Sequence, residues 1–303
     1  MTRIILIRHC EAEGNIKRVF QGHTDADISE NGRKQLDLLR LRCRNMQIDA
    51  IYSSPLKRAY QTAEAINSFR NLTVQIHEDL IEINGGDWEG HYWRDLPGLF
   101  PEDTVLWNTR PYDFAPKNGE PMRHVYERMK RAVLEIAEKN QGKQICITSH
   151  GCAIRNFLCW AMGKPIEQIN EVDWCDNTAV SIIDFNDAFE PTVVLANDAS
   201  HLSGETSTFS KQTWWKPENR IKTEWDEEKI MAVDLGKART GIAICDESEM
   251  LASPVAVIHE HNEERLLEKI SQIISEQHPK LLVVGLPRNM DGSEGESAQR
   301  CRS

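Results

Sequence analysis

The sequence lacks any Cys-x-x-Cys pair among its eight cysteines (10, 43, 146, 152, 159, 175, 245 and 301), which argues against a zinc site or a dithiol redox motif. It also lacks an apolar run near the roughly 18 residues that a membrane helix needs. Its start, MTRIILIRHC, is apolar only over residues 4–7 before Arg8 intervenes, so it makes a poor secretion signal and a good buried strand. Reduced thiols in a cytoplasmic protein without a membrane partner are therefore expected. Positive charge is not in surplus anywhere. The net charge is −11; residues 226–303 carry 15 acidic and 9 basic side chains, and residues 1–225 carry 32 and 27. Neither part should attract nucleic acid indiscriminately. With 40% hydrophobic and 27% charged residues, collagen-like, low-complexity and wholly disordered chains are excluded. There is no internal repeat, and 303 residues suit two domains at about 150 each.

Strand-like and helix-like segments alternate from the start, the pattern of an α/β protein with a mostly parallel sheet. Residues 4–7, 50–54, 74–77, 144–149, 179–185 and 192–197 read as strands. A helix should follow Ser29 as N-cap, with Leu36, Leu39 and Cys43 on its apolar stripe. Another should start near Pro55, where proline suits the first turn. Helical spacing marks residues 122–140 through Val125, Met129, Val133 and Ile136, and a further helix should run from about Cys152 to Met162. Residues 84–121, rich in Gly, Pro, Trp and Asp, read as a long functional insert of loops and short helices. The pattern thins over 203–227, a tail and linker, with Trp214 and Trp215 packing against the first domain. It restarts at Ile230 with two strands (230–236 and 240–246), a third at 255–259, an amphipathic helix over 264–278 and a buried strand at 281–287.

Ligands in open α/β sheets bind beyond the carboxyl ends of the strands. Three such ends carry unusual residues: Arg8-His9, Ser53-Ser54-Pro55 with Arg58, and Ser149-His150-Gly151. Were these strands neighbours, His9, His150, Arg8 and Arg58 would meet in one crevice. Two guanidinium forks fit the oxygens of a phosphate dianion. A neutral imidazole can attack phosphorus, and nearby arginines favour that neutral form. The departing alkoxide needs a carboxylic acid. Glu82, Asp87 and Glu89 are candidates, and Glu82, just past a strand and before Gly85-Gly86, is best placed. An isolated Arg-His pair or Ser-His-Gly occurs often by chance; the weight lies in their joint occurrence at strand ends. Trp88, Trp93, Trp107 and Tyr112 suggest a pocket that accepts apolar leaving groups, or else a plain core or lid.

The segments LIRHCEAEGN (6–15), FQGHTDADISENGRKQ (20–35), IYSSPLKRAYQTAEAI (51–66), LIEINGGDWEG (80–90), NGEPMRHVYERM (118–129), ITSHGCAIR (147–155) and LANDASHL (195–202) resemble, in order, the motifs of the histidine phosphatase superfamily. The resemblance implies a three-layer αβα phosphoglycerate mutase-like domain over residues 1–202. It implies that His9 becomes phosphohistidine, that Arg8, Arg58 and His150 bind the transferring phosphoryl group, and that Glu82 is the general acid and then the base. Asn15, Gln21 and Gly22 would line the phosphate pocket, with no metal and no cofactor. Cys10 stands where the family has Gly, Ala12 where it has Thr, and Asp27 where it has Pro. None removes a catalytic group, and Cys10 is expected to be a packed, inert thiol. The acid loop resembles the broad-specificity and α-ribazole phosphatases rather than the mutases, and no basic cluster stands ready for a second phosphate. A small phosphorylated substrate and hydrolysis are expected, with mutase-type transfer as the alternative.

MAVDLGKARTGIAICD (231–246), LASPVAVI (251–258) and LLVVGLPRNMDGSEGESAQRCR (281–302) resemble the YqgF/RuvX family, RNase H-like proteins described as Holliday junction resolvases and pre-ribosomal-RNA nucleases. Residues 228–303 thus imply an incomplete RNase H-like α/β domain. Asp234, at a strand end before a tight turn, is the candidate Mg²⁺ ligand. The family's later Asp-Glu-Arg strand and a further acidic residue do not occur, and two-metal hydrolysis needs several carboxylates. Mg²⁺ and nucleic acid would be bound only if this domain were complete. A prematurely ended reading frame, a nuclease-dead module and an exposed sheet edge are expected; a nuclease with a regulatory phosphatase-like domain is the rival reading.

Overall fold

A computed structural model of the chain describes residues 1–212, 230–235, 239–245, 252–260, 262–277 and 281–285. The apolar residues 4–7 are buried on both sides because they lie inside a six-stranded sheet. Its strands are β1 (Thr2–Arg8), β2 (Ala50–Ser53), β3 (Val74–Ile76), β4 (Gln144–Ser149), β5 (Val180–Phe185) and β6 (Pro191–Asp198), in the order β3-β2-β4-β1-β5-β6. The first four strands run parallel, and β5 and β6 add antiparallel pairings at one edge. The chain divides into two compact units, Met1–Trp215 and Lys216–Ser303, and this sheet belongs to the first.

Alternation along the strands builds three layers. Ile5, Ile7, Ile51 and Cys146 face one side, where they meet Leu39 and Cys43 of α2 (Glu30–Cys43) and Ala63 and Ile66 of α3 (Lys57–Asn67). Ile4, Leu6, Tyr52, Ile145 and Ile147 face the other, against Val125, Met129, Val133 and Ile136 of α6 (Met122–Lys139) and Phe157 and Leu158 of α7 (Gly151–Ala161). Each such buried aliphatic side chain contributes about 1.5–3 kcal/mol relative to exposure. The expected insert holds two short helices, α4 (Leu96–Leu99) and α5 (Pro101–Thr109); a five-residue helix, α1 (Glu13–Lys17), follows the signature segment.

Most element bounds shift by a few residues from those expected, with the strand expected at 255–259 starting three residues early at Ala252 and the one expected at 281–287 ending at Val284. Ser29 caps α2 by accepting from the Gly32 N–H at 2.9 Å. The helix expected near Pro55 starts at Lys57, because Leu56 stays extended and its carbonyl is the first to accept bonds, from Ala59 and Tyr60. Residues 203–212 also do more than trail away. Thr206 and Thr208 hydrogen-bond to Asn31, Gln35 and Glu11, so this part of the tail is built into the first unit. Trp214 and Trp215 lie outside the described residues.

In the second unit β7 (Ile230–Leu235), β8 (Thr240–Cys245), β9 (Ala252–Ile258) and β10 (Leu281–Val284) form a sheet in the order β10-β7-β8-β9, with β10 parallel to β7. Met231, Val233, Ile242 and Ile258 pack with Leu266 and Ile270 of α8 (Glu263–Gln277). Leu282, Val283 and Val284 on β10 are exposed among the described residues. Among the described residues no helix is long and apolar enough to cross a membrane.

Candidate active site

Strand register assembles the site. Arg8 is paired with Ser149, and Ser53 with Thr148, so the parallel strands β1, β4 and β2 end side by side. The residues that follow, His9, His150 and Ser54, meet at this edge and are all buried. The rings of His9 and His150 lie 5.1 Å apart. His9 Nδ1 is 2.6 Å from the Cys10 carbonyl oxygen. A carbonyl only accepts, so Nδ1 carries the proton and the neutral ring presents Nε2 as a lone pair. Burial, then Arg58 and Arg8, hold the His9 pKa well below its ordinary 6.5. Burial and Arg58 do the same for His150, whose Nε2 lies 2.7 Å from Ser54 Oγ.

The arginines are fixed by backbone carbonyls. Arg8 Nη1 donates to Cys175 O at 2.5 Å. Arg58 donates to Thr24 O and Gly22 O, both at 2.8 Å. Burial lowers the Arg58 pKa to about 10, which leaves it a cation at neutral pH. The Nε atoms of both arginines and Nδ1 of His150 are buried without a hydrogen-bond partner among the described residues. Buried donors left this way are costly, and an anion accepting from them would remove that cost.

Of the three candidate acids, the structure brings Glu82 to the pocket. Its Oε1 accepts from Ile83 N and Ala153 N at 3.0 Å, and its Oε2 from Cys152 N at 3.1 Å. The Glu82 side chain thus spans two free N–H groups in the first turn of α7, which fix where its oxygens stand. Asp87 faces Asn118 outside the pocket. Glu89 accepts from His23 N, Thr24 N, Thr24 Oγ1 and Gly85 N, and so braces the loop that holds Arg58.

Arg8, His9, Asn15, Gln21, Gly22, Arg58 and Glu82 line one cavity. His150, fully buried with its ring 5.1 Å from that of His9, is not among the lining residues. Asn15, at the third position of α1, accepts the Ala12 N–H on its Oδ1 at 2.9 Å, the half of a capping box that needs no Thr at position 12. Cys10 is fully buried, and burial raises its pKa to about 12, so the thiol is inert. Of the expected aromatic set, Trp93 and Trp107 line the cavity, joined by Phe20 and Trp174. Trp88 is core, 1% exposed behind them, and Tyr112 packs under Arg123.

Sequence reasoning passed over the supports of this site. Buried Glu11 accepts from Ser29 Oγ, Asn31 Nδ2 and Thr208 Oγ1, which ties the signature segment to the tail. Asn177 Nδ2 donates to the His9 carbonyl at 3.0 Å. Arg128 is 3% exposed and sits on the apolar stripe of α6 between Val125 and Ala132. A lone arginine at a stripe position was the available signal.

Asp234 of the second unit lies opposite Gly241 with its side chain exposed. No group of three or more metal-ligating side chains forms among the described residues. Among the described residues Asp234 stands there as a single carboxylate, which does not by itself fit a two-metal site.

A three-layer α/β domain with two histidines and two arginines buried at its strand ends defines a phosphoryl-transfer class. The chain belongs to the histidine phosphatase superfamily (branch 1), which matches residues 4–199, and residues 228–303 match the RuvX family, described as Holliday junction resolvase. Phosphoserine phosphatase 1 of Hydrogenobacter thermophilus is 34% identical over 60% of this chain and 86% of its own length. The adenosylcobalamin/α-ribazole phosphatase of Escherichia coli is 30% identical over 65% of this chain and 97% of its own. The solved YhfR of Bacillus stearothermophilus is 28% identical, with a TM-score of 0.65, over 67% of this chain and all of that one. The first unit is a phosphatase of this superfamily.

Proposed function

We propose that the first unit hydrolyses phosphomonoesters without a metal, through a phosphohistidine at His9. The observation that carries this reading is the bond from His9 Nδ1 to the Cys10 carbonyl, which fixes the tautomer and leaves Nε2 as nucleophile. His9 Nε2 bonds to phosphorus as the ester P–O bond breaks, and the leaving oxygen takes a proton from the Glu82 carboxyl. Water then gives a proton back to Glu82 and attacks phosphorus. The N–P bond breaks, and inorganic phosphate leaves. Arg8 and Arg58 offset the charge on the phosphoryl oxygens, the task a metal ion performs elsewhere, and neutral His150 assists as a hydrogen-bonding imidazole whose Nδ1 has no partner among the described residues. Asn15, Gln21 and Gly22 complete the wall. Phe20, Trp93, Trp107 and Trp174 in the same cavity favour a leaving group with a flat apolar surface over the small zwitterion of phosphoserine.

The test is hydrolysis of a generic aryl phosphate with a chelator present, comparing the parent with His9→Ala. Turnover unaffected by chelator, a loss of about 10³-fold or more in the variant, and acid-labile phosphate trapped on the parent alone are expected. An inert parent that still binds phosphate, or exchange between phosphoglycerates that outruns phosphate release, overturns the reading.

A further inference from the structure

The backbone that carries Glu82 is bolted down from one side by a single guanidinium. Arg128 Nη1 donates to Asp79 O and Ile81 O, both at 2.7 Å, and Nη2 to Glu82 O at 3.1 Å. Its Nε donates to Glu120 Oε1 at 2.7 Å and Nη2 to Glu120 Oε2 at 2.8 Å. All five N–H groups of the guanidinium are thereby used. The carbonyl between, Leu80 O, accepts from Ser149 Oγ at 2.7 Å, and Ser149 directly precedes His150. Four successive carbonyls, residues 79 to 82, are thus held by Arg128 and by the strand that carries the second histidine. This segment is a single turn followed by loop, so its carbonyls have no ladder to satisfy them and depend on these donors, joined at Glu82 O by His23 Nε2 at 2.9 Å. Glu120 balances the buried charge, fixes the plane of the fork, and accepts from Asn84 N at 3.4 Å, two residues beyond Glu82.

We propose that Arg128, oriented by Glu120, is the positioning residue for the proton donor: it sets where the Glu82 carboxyl stands relative to the leaving oxygen. This rests on the assignment of Glu82 as general acid. Arg128 itself touches no reacting atom. A lysine has three donors on a point charge and cannot hold three divergent carbonyls and a carboxylate together. Misplacing a proton donor slows departure of poor leaving groups, which need the proton, and spares good ones, which leave as anions.

The experiment measures kcat/KM, which reports phosphoryl transfer to His9, across a series of phosphate esters from nitrophenyl to alkyl, for the parent, Arg128→Lys, Glu120→Gln and Glu82→Gln. Glu82→Gln should steepen the dependence on leaving-group pKa, with losses of about 10²-fold or more on alkyl esters. Arg128→Lys should steepen it in the same sense, by about tenfold or more on alkyl esters and little on nitrophenyl phosphate, and Glu120→Gln should follow more weakly. If Arg128→Lys does not fold, the slope of Glu120→Gln alone decides. Equal losses across the series, or an unchanged slope, overturn the proposal. If Glu82→Gln leaves the slope unchanged, the acid assignment falls instead.

Discussion

Holding two imidazoles neutral inside the protein has a consequence for stability that can be worked out and measured. The perturbation is a drop from about pH 7.5 to about pH 5.5. His9 and His150 have folded pKa values well below 6.5, chiefly because burial penalises the charged ring and Arg58 repels it. In the unfolded chain both return to about 6.5. Below that value the unfolded state binds protons that the folded state refuses, so stability is full above pH 6.5 and falls as the pH drops. With the folded rings still neutral at the lower pH, each histidine costs about 1.4 kcal/mol over this range, and the pair about 3 kcal/mol. His201, lowered to about 4 by burial and Arg42, acts in the same direction with a smaller share because its ring is partly exposed. The assay is urea unfolding in buffers free of phosphate and sulfate, followed by near-ultraviolet circular dichroism of the Trp88, Trp93 and Trp107 cluster. His9→Gln and His150→Gln should each shrink the pH-dependent loss by about 1.4 kcal/mol, whatever they do to stability at neutral pH. If parent and variants lose the same stability between the two pH values, the rings are not held neutral and the electrostatic account of the nucleophile fails.

Gly22→Ala should depress kcat/KM by about tenfold or more, mainly through KM, because its carbonyl holds Arg58; the work of the loop is orientation. At φ +39° a Cβ there would stand 1.9 Å from Glu89 Oε1 and 2.7 Å from Ile83 O, so steady-state kinetics indistinguishable from the parent would show that the loop shifts without moving Arg58. Thr208→Val removes a buried hydroxyl that donates to Glu11 at 2.7 Å and accepts from Gln35 at 3.1 Å, and should cost about 1–3 kcal/mol in denaturant unfolding. An unchanged midpoint would mean that the tail is dispensable to the signature segment.

Much of the fold was legible because its signals are local. Residues 4–7 and 145–147 are apolar in unbroken runs, and they prove to lie in strands covered on both faces. Ser29 before a polar helix start, and the stripe through Val125, Met129, Val133 and Ile136, each draw on neighbours within a few residues. The start of α3 was misplaced for the same reason. Proline suits a first turn, but Leu56 stays extended here and the loop around Asp25 takes the Lys57 N–H, a contact 32 residues away.

The candidate catalytic groups could be picked out along the sequence and their supports could not, and distance along the chain accounts for the difference. Arg8-His9, Arg58, Glu82 and His150 each follow a strand end, and strand ends can be read locally. The residues that hold them reach across the chain: Arg128 to Asp79 over 49 residues, Thr208 to Glu11 over 197. Nothing in a window of sequence shows that a tail rich in serine and threonine supplies a donor to a buried carboxylate. Nor does it show that one of several arginines in a helix has all its donors turned inward. What a sequence does offer is the exception to its own pattern. Arg128 interrupts an apolar stripe, and a charged group at such a position must find compensation inside. Charged residues that break a buried stripe are therefore where the hidden supports of a site should be sought first, before the structure is known.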